Sequence, residues 1–225
     1  MYFRGIHIIT GTGRSVGKTT ATAALAAQAM AAGEEPVVVK LAQIGEPEGQ
    51  GSIATIQRLT GCTDVHEFAR YPDVLPPAFA ARRIGAPELD LEETADKLRD
   101  LAADGHPVFV EGTGGVLARI SNWAVPELAQ ELGAKATIVA STAPGTLNAV
   151  ELTAEACRAR GLEITGIIGR SLPEQPDVAA ECVVEQMPIL TGLPVLAWLP
   201  EDAADLDREE FLGRAAGWFS GASAE

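Results

Sequence analysis

Ten residues near the start of the chain, Gly11 to Thr20 (GTGRSVGKTT), hold its densest grouping of residue types suited to a polyphosphate. Small residues let successive backbone N–H groups curl around an anion, Lys18 supplies a mobile positive charge, and the Thr19 hydroxyl is a hard oxygen donor for Mg²⁺. The spacing is irregular: four residues between two glycines would put Thr12 at the first glycine position, with Gly11 one residue too early. The competing reading, a glycine-rich turn with a solvated lysine, is disfavoured by what flanks the loop, an apolar run before it and an alanine-rich run after it.

Two further residues could share that chemistry. Lys40 closes the apolar run VVVK, where a parallel sheet would aim its side chain at a ligand crevice. Taken alone it is more often a solvated edge charge. Glu111 closes VFVE and is followed by Gly112, Gly114 and Gly115. A carboxylate there can hold Mg²⁺ directly or through water, and the glycines permit close approach of backbone to a ligand. His7, His66 and His106 are scattered without ligand spacing, Arg82 and Arg83 read as a solvated helix face, and Trp123, Trp198 and Trp218 read as core or interface residues.

The elements that must position these groups follow from the apolar pattern. Short β-branched runs at Ile6 to Ile9, Pro36 to Val39, Val108 to Val110, Thr137 to Val139, Ile164 to Ile168 and Val195 to Trp198 read as strands buried on both faces. Alanine-, leucine- and glutamate-rich stretches at Thr19 to Ala32, Leu91 to Ala103 and Asn148 to Arg160 read as helices. Their alternation predicts one α/β domain over residues 1–225 with a doubly wound, mainly parallel sheet and helices on both faces, and the Gly11 to Thr20 loop between its first strand and helix makes that fold P-loop NTPase-like. The segment Tyr71 to Pro87 breaks the rhythm and reads as a long connection over the sheet's C-terminal edge; the closing GASAE is expected to fray.

A net charge of −14 argues against nucleic acid or an anionic membrane being held by a general basic surface, so any phosphate site must be local and strong. Cys62, Cys157 and Cys182 are few and far apart, which suits a reducing cytoplasm. No run is long and apolar enough for a membrane span, and the first apolar residues reach glycine too soon for a signal peptide.

In order and spacing, GTGRSVGKTT, VVVKLAQIG, FARYPDVLPPAFAARRIG, VFVEGTGG, STAPGTLNAVELT and VLAWLPED resemble the dethiobiotin synthetase family over nearly the whole chain. The family's loop, GT followed by four variable positions and GKT, has the spacing seen here. The resemblance implies a ligase of biotin biosynthesis that uses ATP and Mg²⁺ to join CO₂ and 7,8-diaminopelargonic acid into the ureido ring of dethiobiotin. A carbamate and a carbamic-phosphoric anhydride would lie on the route. It implies Lys18 and Lys40 as catalytic residues. Gly13, Arg14, Ser15, Val16, Gly17, Lys18, Thr19 and Thr20 would surround the phosphates, with Glu111, Gly112 and Gly114. Gly169 and Arg170 would lie near the base, with Pro200, Glu201 and Asp202. Thr19 and Glu111 would hold the metal. Thr12 and Ile44 fall at substrate positions, and Gly145, Thr146, Leu147 and Asn148 match a helix start that holds the substrate carboxylate across a homodimer.

Departures from the family pattern are specific. Ser52 stands at or near the place of an acidic Mg²⁺ ligand, and a neutral hydroxyl is the poorer one. Leu41 and Ile44 replace a proline and a hydroxyl residue, Gly13 and Arg14 replace aspartate and threonine, and Thr113 replaces alanine. A second class of function therefore stands beside the working ligase: a nucleotide-binding paralogue with a regulatory or binding role. An ATPase of the ParA or MinD kind would carry an additional lysine near the start of the loop, and Gly11 to Gly17 contains none.

Overall fold

The computed structural model describes residues 4–219, so the GASAE tail lies outside the described residues. From the start of the chain come β1 (Ile6–Gly11), α1 (Lys18–Ala31), β2 (Val37–Lys40), β3 (Gln43–Ile44), α2 (Ser52–Thr60), β4 (Val65–Glu67), β5 (Arg70–Tyr71), α3 (Pro77–Ile84) and α4 (Leu91–Leu101). Then follow β6 (Val108–Glu111), α5 (Val125–Leu132), β7 (Lys135–Ser141), α6 (Thr146–Ala159), β8 (Ile164–Leu172), α7 (Val178–Thr191), β9 (Val195–Pro200) and α8 (Arg208–Trp218). Seven strands form one sheet in the order β4-β2-β6-β1-β7-β8-β9, with every neighbouring pair parallel. β3 and β5 form a separate parallel pair.

Period-two alternation divides each strand between two cores. Ile8, Val39, Val110 and Ile138 pack with Leu98 of α4, Leu128 of α5, Val150 of α6 and Met187 of α7. Their neighbours Ile9, Val38, Phe109 and Val139 pack on the opposite face with Leu25 of α1, Ile56 of α2 and Phe211 of α8. The expected α/β architecture, with helices on both faces, is thus the one observed. It aligns the C-terminal ends of β1, β2 and β6, which carry the loop, Lys40 and Glu111.

The long connection needs correction. Tyr71 to Pro87 contains α3, which begins at Pro77, where a missing N–H costs nothing because the first turn has no partner for it. Ala80 and Ala81 of α3 pack on Ile44 and Tyr71, so the helix roofs the small β3–β5 pair. Arg82 pairs with Glu88 and Arg83 with Asp73 at the surface, as a solvated face requires. Trp123 is buried and donates its indole N–H to the Leu89 carbonyl at 2.8 Å, and Trp218 stacks edge-on against Phe211. Among the described residues, no helix is long and apolar enough to cross a membrane.

His7 of β1 is buried, with Nε2 2.7 Å from Thr137 Oγ1. Burial, and after it the charge of Lys135, lowers its pKa to about 4. Between that value and the ordinary 6.5 the unfolded chain binds the extra proton, so stability is complete above pH 6.5 and declines as pH falls towards 4. Urea denaturation at pH 7 and pH 4.5 is expected to show His7→Gln losing roughly 2–3 kcal/mol less than the unaltered chain over this interval. Equal losses would remove His7 as the source.

Candidate active site

The loop is shaped by its glycines. A methyl group at Gly11 would come 2.8 Å from Val16 Cγ2 and 3.0 Å from the Val139 carbonyl, so the early glycine seats the loop against β7. The Thr12 N–H secures the same junction by donating to the Val139 carbonyl at 3.1 Å. Gly17 has φ 96°, a left-handed conformation costly for any side chain, and it caps α1 without a side-chain hydrogen bond. The first N–H groups of α1 are thereby left for an anion. Lys18 Nζ donates to the carbonyls of Gly13 at 2.6 Å and Gly114 at 2.7 Å. Burial and the neighbouring Lys40, opposed by Glu111, lower the Lys18 pKa to about 8. Its charge is poorly solvated and would gain strongly from phosphate oxygens.

Parallel pairing of β2 and β6 sets Lys40 directly beside Glu111. Lys40 Nζ donates to Glu111 Oε1 at 2.7 Å and to the Gly112 carbonyl at 2.9 Å, and both side chains are buried. Lys40 is therefore not a solvated edge charge. The same Oε1 accepts hydrogen bonds from Ser52 Oγ at 2.9 Å and Thr19 Oγ1 at 3.1 Å, and the two hydroxyls lie 3.0 Å apart. Glu111 Oε2 is buried without a partner. An orphaned carboxylate oxygen beside two hydroxyls is a hard-oxygen set that fits Mg²⁺, which commonly takes one or two carboxylates and completes its shell with water and phosphate. Among the described residues no cluster of three His, Cys, Asp or Glu side chains could hold a metal, so the fit is to Mg²⁺ with nucleotide rather than to an all-protein site.

Sequence reasoning missed Gln43. Its Oε1 accepts the Ser52 backbone N–H at 2.9 Å, serving as the N-terminal cap of α2, while its Nε2 donates to the Ile44 carbonyl at 3.2 Å. Gly51 has φ 101°, and a side chain there would strike Gln43. A buried glutamine nine residues from the helix it caps leaves no local signal. The Ile44 side chain lines the cleft but packs with Ala42, Tyr71 and Ala81, so it contributes shape and no hydrogen bond. The Thr113 hydroxyl is committed to the Ala42 carbonyl, tying the loop after β6 to that after β2. Gly13 has open space where a side chain would begin, and Arg14 stands exposed on the cleft wall.

These groups line a cleft of about 250 Å³ that also receives Ser15, Thr20 and Arg170. Other expected residues lie elsewhere. Gly169 turns its bare face to Trp198, whose ring a side chain would overlap, so it serves packing there. Pro200, Glu201 and Asp202 border a separate depression with Trp198, Arg214 and Trp218. Gly145 to Asn148 form the start of α6, with Gly145 at φ 84°, and do not line the cleft of their own chain.

A family model described as an AAA domain matches residues 7–209. The ATP-dependent dethiobiotin synthetase BioD of Corynebacterium kroppenstedtii is 44% identical, covering 95% of this chain and 94% of that protein. Its namesake from Saccharopolyspora erythraea is 45% identical, covering 88% of each. Among solved structures, the MinC:MinD cell division complex of Aquifex aeolicus superposes with a TM-score of 0.62 at 12% identity, covering 98% of this chain and 97% of that one. Septum site-determining MinD of Pyrococcus horikoshii, complexed with Mg-ADP, gives 0.60 at 17%, covering 96% and 92%. At such identities the structural likeness establishes the fold alone.

Proposed function

The chain belongs to the ATP-dependent dethiobiotin synthetase family, and from that premise we propose how its residues divide the reaction. It is a ligase of biotin biosynthesis that uses ATP and Mg²⁺ to form the ureido ring of dethiobiotin from 7,8-diaminopelargonic acid and CO₂. The alternative of a nucleotide-binding paralogue is not favoured by curated relatives at 40–45% identity over most of the chain.

The observation that carries the assignment of roles is the convergence of Lys40, Ser52 and Thr19 on one oxygen of Glu111, beside the P-loop lysine. One amine of the substrate takes up CO₂ as a carbamate, and a carbamate oxygen attacks the γ-phosphorus as ADP departs. The second amine then attacks the carbonyl of the resulting anhydride and expels phosphate. Each step gathers anionic oxygens in one small volume. Lys18 would hold the phosphates from within the loop, and Lys40 would stabilise charge moving between carbamate and γ-phosphate. Thr19, Glu111 and Ser52 would hold Mg²⁺, which supplies positive charge against the transferring phosphoryl group. At the N-terminus of α6, Gly145 to Asn148, the Thr146 N–H is held by the Ala143 carbonyl at 3.1 Å, and the Leu147 and Asn148 N–H groups would receive the substrate carboxylate. The position of this helix start outside the cleft of its own chain supports a homodimer in which it serves the neighbouring P-loop. Three free cysteines support a reducing compartment such as the cytoplasm, and the acidic charge supports a nucleic-acid-free role.

Purified protein given 7,8-diaminopelargonate, bicarbonate and MgATP is expected to form dethiobiotin, ADP and phosphate in equal amounts, read by mass spectrometry and a coupled ADP assay. ADP release that does not depend on the diamine, with no dethiobiotin, would overturn the assignment.

A further inference from the structure

We propose that Arg170 grips the polyphosphate chain of the nucleotide and not its base, acting as a further cation over the P-loop; the proposal rests on the nucleotide-dependent reading of this cleft. Arg170 lies near the end of β8, in register with Ser141 of β7 on one side and Leu199 of β9 on the other. Pairing with β9 slips between Arg170 and Leu172, and Ser171 has φ 62°, a left-handed conformation unusual for a serine. An irregularity of this kind re-aims the side chains around it. Two hydrogen bonds fix the turned strand end: the Thr142 N–H donates to the Arg170 carbonyl at 3.1 Å, and the Thr142 hydroxyl donates to the Ser171 carbonyl at 2.7 Å.

The side chain so aimed lies across Gly17, the residue before Lys18. A methyl group at Gly17 would overlap Arg170 Cδ and displace the arginine, so the bare glycine lets the side chain lie where it does, and its φ of 96° favours glycine independently. The guanidinium is under-used: Nη1 donates to Ser171 Oγ at 3.2 Å, while Nε is buried without a partner. Lys40, by contrast, is balanced by Glu111 at 2.7 Å. Arg170 has no carboxylate partner among the described residues, in a protein of net charge −14. A half-buried guanidinium with spare donors on the wall of a phosphate-binding loop is matched by a group that brings negative charge and several oxygens. A planar fork meets phosphate oxygens in pairs, whereas a neutral base would leave the charge uncompensated.

Isothermal titration of the unaltered chain and Arg170→Gln with inorganic tripolyphosphate, MgATP and MgCTP separates the possibilities. The expected result is an affinity about 10- to 100-fold weaker for all three, with the ATP-to-CTP ratio unchanged. Unchanged tripolyphosphate affinity would overturn the proposal, whether the ATP-to-CTP ratio shifts, marking a base contact, or nothing shifts, marking a packing strut. Thermal melting checks the fold. Should Arg170→Gln not fold, Arg170→Lys keeps the charge without the fork, and a several-fold loss on tripolyphosphate is the supporting outcome and no loss the contrary one. Dethiobiotin formation by the unaltered chain is scored separately: a chain that makes dethiobiotin but binds tripolyphosphate independently of Arg170 sinks this proposal alone. A chain that makes none, yet needs Arg170 for tripolyphosphate, sinks only the ligase reading.

Discussion

Lys40→Ala is expected to lower dethiobiotin turnover by about a hundredfold to a thousandfold while changing ATP affinity only a few-fold. An ammonium fixed beside developing anionic oxygen in a largely desolvated cleft contributes on the order of 3 kcal/mol to the barrier, whereas the loop's N–H groups and Lys18 bind the ground-state phosphates without it. The buried ion pair complicates the simplest variant. Removing Lys40 leaves Glu111 charged and uncompensated, and breaking one half of a buried pair commonly costs about 3–5 kcal/mol of stability. Mg²⁺ at the same carboxylate would offset part of that cost, so melting is best compared with and without MgATP. Lys40→Arg retains charge but cannot keep both the 2.7 Å contact to Glu111 and the 2.9 Å contact to Gly112 without rearrangement. It should melt near the unaltered chain and still turn over slowly. Steady-state rates under saturating MgATP decide the matter: a folded Lys40→Ala that matches the parent rate would exclude Lys40 from the chemistry.

Lys40 also marks how far the sequence could be read. Strands buried on both faces announce themselves as continuous apolar runs, and the parallel-sheet rule then puts their last residues at one edge. That is why the loop, Lys40 and Glu111 stand out in the sequence itself. What was hidden depended on pairing between distant segments. β4 is only three residues, Val65–Glu67, and β3 and β5 two each, too short for an alternating pattern to stand out. α3 shows in the sequence only as the solvated helix face of Arg82 and Arg83, because prolines in FARYPDVLPPAFAARRIG read as breakers, although Pro77 lies in the first helical turn, which tolerates it. Gln43 owes its role to a side chain reaching across from β3 to the start of α2, and Arg170 owes its aim to a slipped strand register. Neither follows from residue type or spacing. Ser52 was legible as a departure from an acidic position, but its hydroxyl's convergence on the Glu111 oxygen already used by Lys40 and Thr19 was not.

Glu111→Gln should have the largest effect in the site, about a thousandfold loss of turnover and at least a tenfold rise in half-saturating Mg²⁺. Glu111 Oε1 accepts from three donors at once, while Oε2 is buried and unpaired, so the carboxylate is the only full negative charge among Lys40, Thr19 and Ser52. An amide of the same shape can still accept hydrogen bonds through its oxygen. It has no charge to hold a divalent ion or to balance Lys40, and its NH₂ group adds donors to a cluster already rich in them. Ser52→Asp supplies the opposite perturbation. A second carboxylate beside the first would repel it and lower the melting temperature in chelator, yet with Mg²⁺ present the doubled charge should move half-saturation downward by about tenfold. Rates measured against free Mg²⁺ at saturating ATP, together with melting curves in chelator and in Mg²⁺, test both halves. If Glu111→Gln follows the parent's Mg²⁺ curve, the orphaned oxygen does not face the metal. The convergence of hydroxyls and ammonium on Glu111 would then be a structural clasp between β2, β6 and the starts of α1 and α2. If Glu111→Gln shifts the curve and Ser52→Asp shifts it the other way, the same four-residue cluster that fastens those elements also sets the enzyme's demand for magnesium.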